Sequence, residues 1–238
     1  TADEWCSSHA LTGSTDHNLY LWDLETGEPI RTFEGHTDLI RVVAFSPDGQ
    51  RVLSGGDDGE VILWNLEEGE ILARFDAHDS GVNDIAFSPD GRTAFSIATD
   101  GSTIQWDLFN EAQINRFEGH DAAVLDVAYT PNGKHFLSAS GPFDPAAPII
   151  EEESMRLWNL ESGEQTGSLD WYLSDVFQVA ISPDGRRALS GLMVDQSVRL
   201  WDLATGREIR RFEGHMMPVL SVAFTPDGRM GLSGAVDS

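Results

Sequence analysis

The stretch from Gly35 to Glu70 decides the fold. It runs Gly35-His36, Leu39-Ile40-Arg41-Val42-Val43-Ala44-Phe45, Ser46-Pro47-Asp48-Gly49, Val52-Leu53-Ser54-Gly55, Asp58-Gly59, Val61-Ile62-Leu63-Trp64-Asn65 and Glu67-Glu68-Gly69-Glu70. Short apolar and β-branched runs alternate with Gly, Pro and Asp turns, the pattern of consecutive antiparallel strands. The same phrase returns along the chain. Its Trp-Asp/Asn dipeptide recurs at Trp22-Asp23, Trp64-Asn65, Trp106-Asp107, Trp158-Asn159 and Trp201-Asp202, in steps of 42, 42, 52 and 43 residues. A fixed period of this size marks a repeat array and overrides other readings of the fold.

The unit resembles the WD40 repeat over roughly residues 10–237. The resemblance implies an all-β chain, a β-propeller built of four-stranded antiparallel blades. Full blades are expected at about 39–76, 81–118, 123–169 and 175–213, with partial blades at 9–34 and 218–238, all in one propeller domain spanning 1–238. The phrasing Ser-Pro-Asp-Gly and Leu-Trp-Asp-Leu-x-Thr-Gly is similar to bacterial arrays.

First strands read Val42-Val43-Ala44-Phe45, Asp84-Ile85-Ala86-Phe87, Asp126-Val127-Ala128-Tyr129 and Gln178-Val179-Ala180-Ile181. Each ends in a turn with Pro at its first central position and Gly at its close, as at Ser46-Pro47-Asp48-Gly49. Proline presets φ, and glycine accepts the left-handed conformation that antiparallel pairing asks for. The last turn of each blade uses Gly27, Gly69, Gly163 or Gly206. The third blade has Asn110-Glu111-Ala112 and no glycine.

Both ends carry half blades. Ala10-Leu11-Thr12-Gly13 and Gly231-Leu232-Ser233-Gly234 read as the same second strand, so a closing blade mixed from the two termini would hold one strand too many. The expectation is a piece of a larger array, set against a closed six-bladed ring. Incomplete end blades expose edges and faces that invite self-association.

The balance of 15 Lys+Arg against 40 Asp+Glu gives a formal net charge of -25. Such a surface repels phosphate backbones, so nucleic acid is not an expected partner. It suits solubility or a basic protein partner. The lone cysteine, Cys6, excludes an internal disulfide framework. No apolar run is long enough to span a bilayer, so no membrane partner is expected, and a reducing cytoplasm is the default location.

A His, a Ser and an Asp recur with each tryptophan: His36, Ser54, Asp58 and Trp64, then His78, Ser96, Asp100 and Trp106. The fourth blade keeps His120, Ser138 and Trp158, and the fifth Ser190, Asp195 and Trp201. The first keeps Thr12, Asp16 and Trp22, and the last His215, Ser233 and Asp237. A hydrolase needs one activated nucleophile, not one per repeat. The resemblance implies a structural chain instead, in which the indole N–H meets Ser, Ser meets His and His meets Asp. No catalytic residue, cofactor or metal is expected, and phosphate-loop and HExxH motifs are lacking.

The family's docking face carries the loops from fourth to first and from second to third strands. Two departures from the repeat fall there. One is the insertion Gly141–Glu153, stiffened by three prolines and carrying the apolar Phe143, Ile149 and Ile150; the other is Asp170-Trp171-Tyr172-Leu173 in place of Gly-His. They suit a protein or peptide contact, and equally well Trp171 filling the space of the lost histidine. A second set, Arg41, Asn83, Leu125, Phe177 and Leu220, precedes the Val/Ile-Ala pair of each first strand by two residues and differs between blades. The expected function is a non-enzymatic protein-interaction scaffold, either freestanding or the repeat region of a larger regulatory protein. The alternative is an enzyme or small-molecule binder using the propeller channel.

Overall fold

A computed structural model describes residues 8–76, 78–141, 154–169 and 176–237. These residues form strands and turns in six antiparallel sheets. The first holds β1 (His9–Gly13), β2 (Asn18–Asp23) and β3 (Pro29–Glu34). The second holds β4 (Ile40–Phe45), β5 (Arg51–Gly56), β6 (Glu60–Asn65) and β7 (Ile71–Asp76). The third holds β8 (Val82–Phe87), β9 (Thr93–Ala98), β10 (Thr103–Asp107) and β11 (Ala112–Phe117). The fourth holds β12 (Val124–Tyr129), β13 (His135–Ser140), β14 (Met155–Asn159) and β15 (Gln165–Ser168). The fifth holds β16 (Val176–Ile181), β17 (Arg187–Leu192), β18 (Val198–Asp202) and β19 (Arg207–Phe212). The last holds β20 (Val219–Phe224) and β21 (Gly231–Ala235). Strand order within each sheet follows chain order, the propeller-blade meander. Both copies of the duplicated second strand form, each in its own sheet: β1 pairs with β2 and β21 with β20.

The chain divides into two compact units, Thr1–Arg116 and Phe117–Ser238. No helix among the described residues is long and apolar enough to cross a membrane.

Burial follows strand position. In the four-stranded sheets the second strands are covered on both faces: in β5, Val52 to Gly56 are all buried. This explains their continuous apolar and small residues. The fourth strands are mostly exposed. In β7, Ala73 and Phe75 are buried while Arg74 and Asp76 face solvent. A half-exposed edge strand with charges on its open face resists pairing with other chains.

The sheets are joined by one recurring contact. The last aromatic of each fourth strand packs against the tryptophan of the next sheet. Phe33 meets Trp64 edge-on at 5.6 Å, Phe75 meets Trp106 at 4.9 Å, and Phe117 meets Trp158 at 5.6 Å. Leu169 takes the aromatic's place against Trp201 in a shared apolar cluster. Such ring pairs add about 0.5–1.5 kcal/mol beyond the area they bury.

Glycine takes the left-handed turn before the fourth strand at Gly27, Gly69, Gly163 and Gly206, with φ of 73°, 76°, 72° and 68°. In the third sheet Glu111 is forced into the same conformation, at φ 54°. The turn geometry is set by the sheet, and the residue with a Cβ bears the strain.

Candidate functional site

The second sheet holds the complete side-chain chain. Trp64 Nε1–H donates to Ser54 Oγ at 2.8 Å. His36 Nε2 lies 2.7 Å from the same oxygen, and His36 Nδ1 lies 2.8 Å from Asp58 Oδ2. A carboxylate only accepts, so Nδ1–H donates to Asp58. With the imidazole neutral, Nε2 then accepts the Ser54 hydroxyl proton. Every donor therefore points the same way, from indole to carboxylate, an arrangement in which each bond polarises the next. Asp58 also accepts the Thr37 and Glu60 amides at the turn. Burial works to raise its pKa, but these amides and His36 outweigh it and hold the carboxyl below the ordinary aspartate value.

The third sheet differs in one link. His78 Nε2 meets Ser96 Oγ at 2.8 Å, and Trp106 Nε1–H donates to Ser96 at 2.8 Å. His78 Nδ1–H, however, donates to Ser102 Oγ at 2.9 Å, and Ser102 passes its proton on to Asp100 at 2.6 Å. Asp100 Oδ2 stands 3.4 Å from the imidazole. Asp100 thus acts through a serine that the repeat pattern did not mark. Burial of His78 pulls its pKa down, only partly opposed by Asp100.

In the fourth sheet Trp158 Nε1–H donates to Ser138 Oγ at 2.8 Å, and His120 Nε2 sits 2.8 Å from it. In the fifth, Trp201 Nε1–H donates to Ser190 Oγ at 2.9 Å. Asp195 does not join that pair, which corrects the expectation. It accepts from Ser197 and Arg199 and also faces Arg211. The physical reason is local: no histidine stands in register here, and Arg199, 1% exposed, takes the carboxylate instead. Asp16 of the first sheet likewise binds Tyr20 O–H, while Trp22 Nε1–H donates to Thr12. In the last sheet His215 bridges Ser233 and Asp237 as His36 bridges its partners.

Ser54, Ser96, Ser138 and Ser190 are fully buried. Each hydroxyl is engaged by an indole, and the first three by an imidazole as well. None of these four is presented as the open nucleophile that acyl transfer needs; Ser233, beside His215 and Asp237 in the last sheet, is the exposed exception. His36, Asp58 and Glu60 bring one ligand atom each within 4.8 Å of one another. Their atoms are already committed: Nδ1 carries the proton donated to Asp58, and Glu60 accepts from Arg74 at 2.6 Å.

The second set has a property that the strand pattern did not reveal. In each first strand the register shifts by one residue: between Ile40 and Val42, Val82 and Asp84, Val124 and Asp126, Val176 and Gln178, and Val219 and Ser221. The skipped residues are Arg41, Asn83, Leu125, Phe177 and Leu220. Each is the extra residue of a β-bulge, a device that re-aims a side chain out of the ladder.

In the first unit these residues form a polar row. Arg41 Nε donates to Asp57, Arg41 Nη1 to Asn83 Oδ1 at 3.3 Å, and Thr99 O–H to Asn83 at 3.2 Å. In the second unit they are apolar. Leu220 is 40% exposed and Phe177 half-buried; Leu125 is only 9% exposed, which corrects its expected role as an open contact residue. The residue after the bulge serves packing. Buried Asp126 accepts the Val179 amide at 2.6 Å, and Gln178 accepts the Val222 amide at 2.8 Å, tying first strand to first strand. The recurrence of Asp at Asp84 and Asp126 was the available signal. Phe143, Ile149, Ile150, Trp171 and Tyr172 lie outside the described residues.

A family model described as WD domain, G-beta repeat matches residues 27–65, 69–107, 111–144, 163–202 and 206–238. The chain belongs to the WD40 family. Each WD40 match starts just before a fourth strand and runs on into the next sheet, so the repeat in sequence straddles two sheets; the first two matches contain the Phe–Trp contact that joins them. Nuclear distribution protein PAC1-2 of Postia placenta is 40% identical over 43 residues, covering 18% of this chain and 10% of that protein. Ribosome assembly protein 4 of Chaetomium thermophilum is 43% identical over 44 residues, 18% of this chain and 8% of that protein. Eukaryotic translation initiation factor 3 subunit I of Meyerozyma guilliermondii is 49% identical over 45 residues, 19% and 13%. The matched stretches span about a tenth of those relatives' length, one repeat in each case.

Proposed function

We propose that this chain is a non-enzymatic WD40 interaction module. Its His–Ser–Trp chains hold the sheets, and its partners are proteins or peptides that dock along the bulged first strands. The observation that carries the reading is the bulge itself. The framework repeats from sheet to sheet, while the one residue that each bulge turns out of the ladder changes from Arg41 to Asn83 to Phe177 to Leu220. Side chains aimed off a rigid frame and free to differ suit recognition.

Burial of the Ser54, Ser96, Ser138 and Ser190 hydroxyls supports the non-enzymatic reading. The names of the relatives, a nuclear distribution protein, a ribosome assembly protein and a translation factor subunit, are compatible with a scaffold. The net charge of -25 favours a partner with basic groups, and a single cysteine fits a reducing cytoplasm.

The test is a displayed peptide library selected on the whole chain. Recovered peptides should be enriched in Lys and Arg. Affinity should fall about tenfold with Arg41→Ala for peptides that dock on the first unit, and with Phe177→Ala or Leu220→Asp for those that dock on the second, the size of effect expected of an interface anchor. Substitutions at exposed Ile30 or Ile114 on fourth strands should leave it unchanged. Trp171→Ala and deletion of 142–150 examine the two departures from the repeat. Peptides indifferent to every one of these changes would refute the docking surface.

A further inference from the structure

Five turns carry a first strand into a second with one phrase: Ser46-Pro47-Asp48-Gly49, Ser88-Pro89-Asp90-Gly91, Thr130-Pro131-Asn132-Gly133, Ser182-Pro183-Asp184-Gly185 and Thr225-Pro226-Asp227-Gly228. Four hold a carboxylate at the third place. The turn of the fourth sheet holds an amide there, Asn132, and of the seven asparagines it is the one followed by glycine. The bonding is otherwise the same. Asn132 Oδ1 accepts the Thr130 hydroxyl at 2.8 Å and the Lys134 amide at 3.0 Å. Asp48, Asp90, Asp184 and Asp227 accept the matching hydroxyl at 2.5, 2.7, 2.6 and 2.6 Å, and the matching amide at 3.0, 3.0, 3.1 and 3.0 Å. The hydroxyl bond is shorter in every carboxylate turn, as a charge-assisted bond is. Ser88, Ser182 and Thr225 thereby hold Asp90, Asp184 and Asp227 below the ordinary aspartate value, so an acid in this place is ionised at neutral pH.

Chemistry at Asn132 runs towards that acid. Asn132 is exposed to water, and Gly133 has no side chain to hinder approach to its nitrogen. The Thr130 and Lys134 donors polarise the Asn132 side-chain carbonyl, as aimed donors do at any acyl carbon under attack. Gly133 N loses its proton and bonds to Asn132 Cγ. The Cγ–Nδ2 bond breaks, the leaving nitrogen takes up a proton and departs as ammonia, and a cyclic imide remains. Water then opens the ring. Addition at Cγ leaves aspartate in an ordinary backbone; addition at the main-chain carbonyl leaves isoaspartate, with one extra carbon in the backbone. The net change is water in and ammonia out, with no oxidant, reductant or enzyme. One contact opposes it. Gly133 N–H donates to Thr130 C=O at 2.8 Å, so the turn must open locally before the nitrogen reacts.

We propose that Asn132-Gly133 is a self-modifying site, whose aspartate product the fold accepts and whose isoaspartate product it rejects. Aspartate restores the phrase of the other four turns and strengthens the bond from Thr130. Isoaspartate lengthens the chain between Pro131 and Gly133, in a turn with no slack. Gly133 already stands at φ 64°, and neighbouring turns abut: a Cβ on Gly185 would lie 3.3 Å from Pro131 Cδ. With time the β12–β13 connection therefore passes from a neutral turn to a charged, tighter one. This site is separate from the peptide-docking reading, which stands or falls on the bulge residues.

Ageing the whole chain at mildly alkaline pH tests it. Trypsin releases residues 117–134 by cutting after Arg116 and Lys134, and Asn132 is the one asparagine in that peptide. Digestion in heavy-oxygen water marks any conversion that occurs during the digest itself. The peptide should gain the mass difference between amide and acid about tenfold faster than peptides carrying Asn65, Asn83 or Asn115, because glycine alone leaves the attacking nitrogen unhindered. Asn132→Asp reproduces the accepted product and should unfold at a urea midpoint equal to or above that of the wild type. Ion exchange isolates the aged chains by their added negative charge, and an isoaspartate methyltransferase labels the isoaspartate form among them. The unlabelled aspartate form should unfold with Asn132→Asp, and the isoaspartate form at lower urea. Conversion at Asn132 no faster than at the other asparagines, an Asn132→Asp chain less stable than the wild type, or an isoaspartate form as stable as the aspartate form would each overturn the proposal.

Discussion

Replacing Ser54 by alanine removes one oxygen and strands two partners. Trp64 Nε1–H loses its acceptor and His36 Nε2 loses its donor, in a place where Trp64 and Ser54 are fully buried. The vacated volume is about that of a hydroxyl, too small for a water to restore both bonds. An orphaned buried polar group costs about 1–3 kcal/mol, so the two together predict a loss of roughly 2–5 kcal/mol. Ser233→Ala provides the internal control. The same imidazole contact is made at 2.8 Å, but Ser233 is exposed and meets no indole among the described residues. Water replaces the hydroxyl there, and the change should stay within about 0.5 kcal/mol. Urea unfolding gives the totals, and hydrogen exchange of the β5 and β6 amides locates the loss in the second sheet. A double change, Ser54→Ala with Trp64→Phe, removes the orphaned indole donor and should cost less than the sum of the single changes by about 1–2 kcal/mol. Equal effects of Ser54→Ala and Ser233→Ala, or strict additivity in the double variant, would refute the view that buried polar satisfaction is what these residues provide.

Acid should weaken the fold in two stages. His78 binds its proton less readily folded than unfolded, so its contribution is intact above its ordinary value of about 6.5 and is lost as pH falls below it, a step that His78→Gln removes. Asp58, Asp100 and Asp195 have lowered folded values, so their contribution is present above about 3.8 and disappears as pH drops through the folded values. Urea midpoints measured from about pH 8 downward read both stages. Glu111→Gly relieves a left-handed non-glycine residue and should raise stability by about 0.5–1 kcal/mol in the same assay. Arg199→Met leaves Asp195 and Glu208 without their buried cation and should cost about 2–3 kcal/mol, less than a fully buried pair because both carboxylates keep some solvent.

Strand order and the Trp, Ser and His positions were legible because each residue sits where the period puts it and the ladder has no freedom to move it. Trp64 opposite Val52 follows from the turn lengths between them. What the sequence hid were local exchanges of partner. Ser102 intervenes between His78 and Asp100 because its side chain lies on the same tight turn and is shorter than Glu60, its counterpart in the second sheet. Arg199 captures Asp195 because nothing in register competes for it. The bulges were hidden for a different reason. A bulge residue carries no mark of its own within a short first strand, and it appears only when the partner strand is laid beside it. Arg41 and Leu220 could be chosen as variable positions, but why they point away from the ladder is a fact of pairing.

The claim beneath all of this is that recurring indoles are buried framework, each clamped on a serine. Indole N–H exchange with deuterium, followed by nuclear magnetic resonance on tryptophan-labelled protein and assigned by single Trp→Phe changes, reads it directly. The indoles of Trp64, Trp106, Trp158 and Trp201 should exchange far more slowly than that of Trp22, whose acceptor Thr12 lies at the surface. Four indoles that exchange as fast as Trp22, or as free tryptophan, would contradict it.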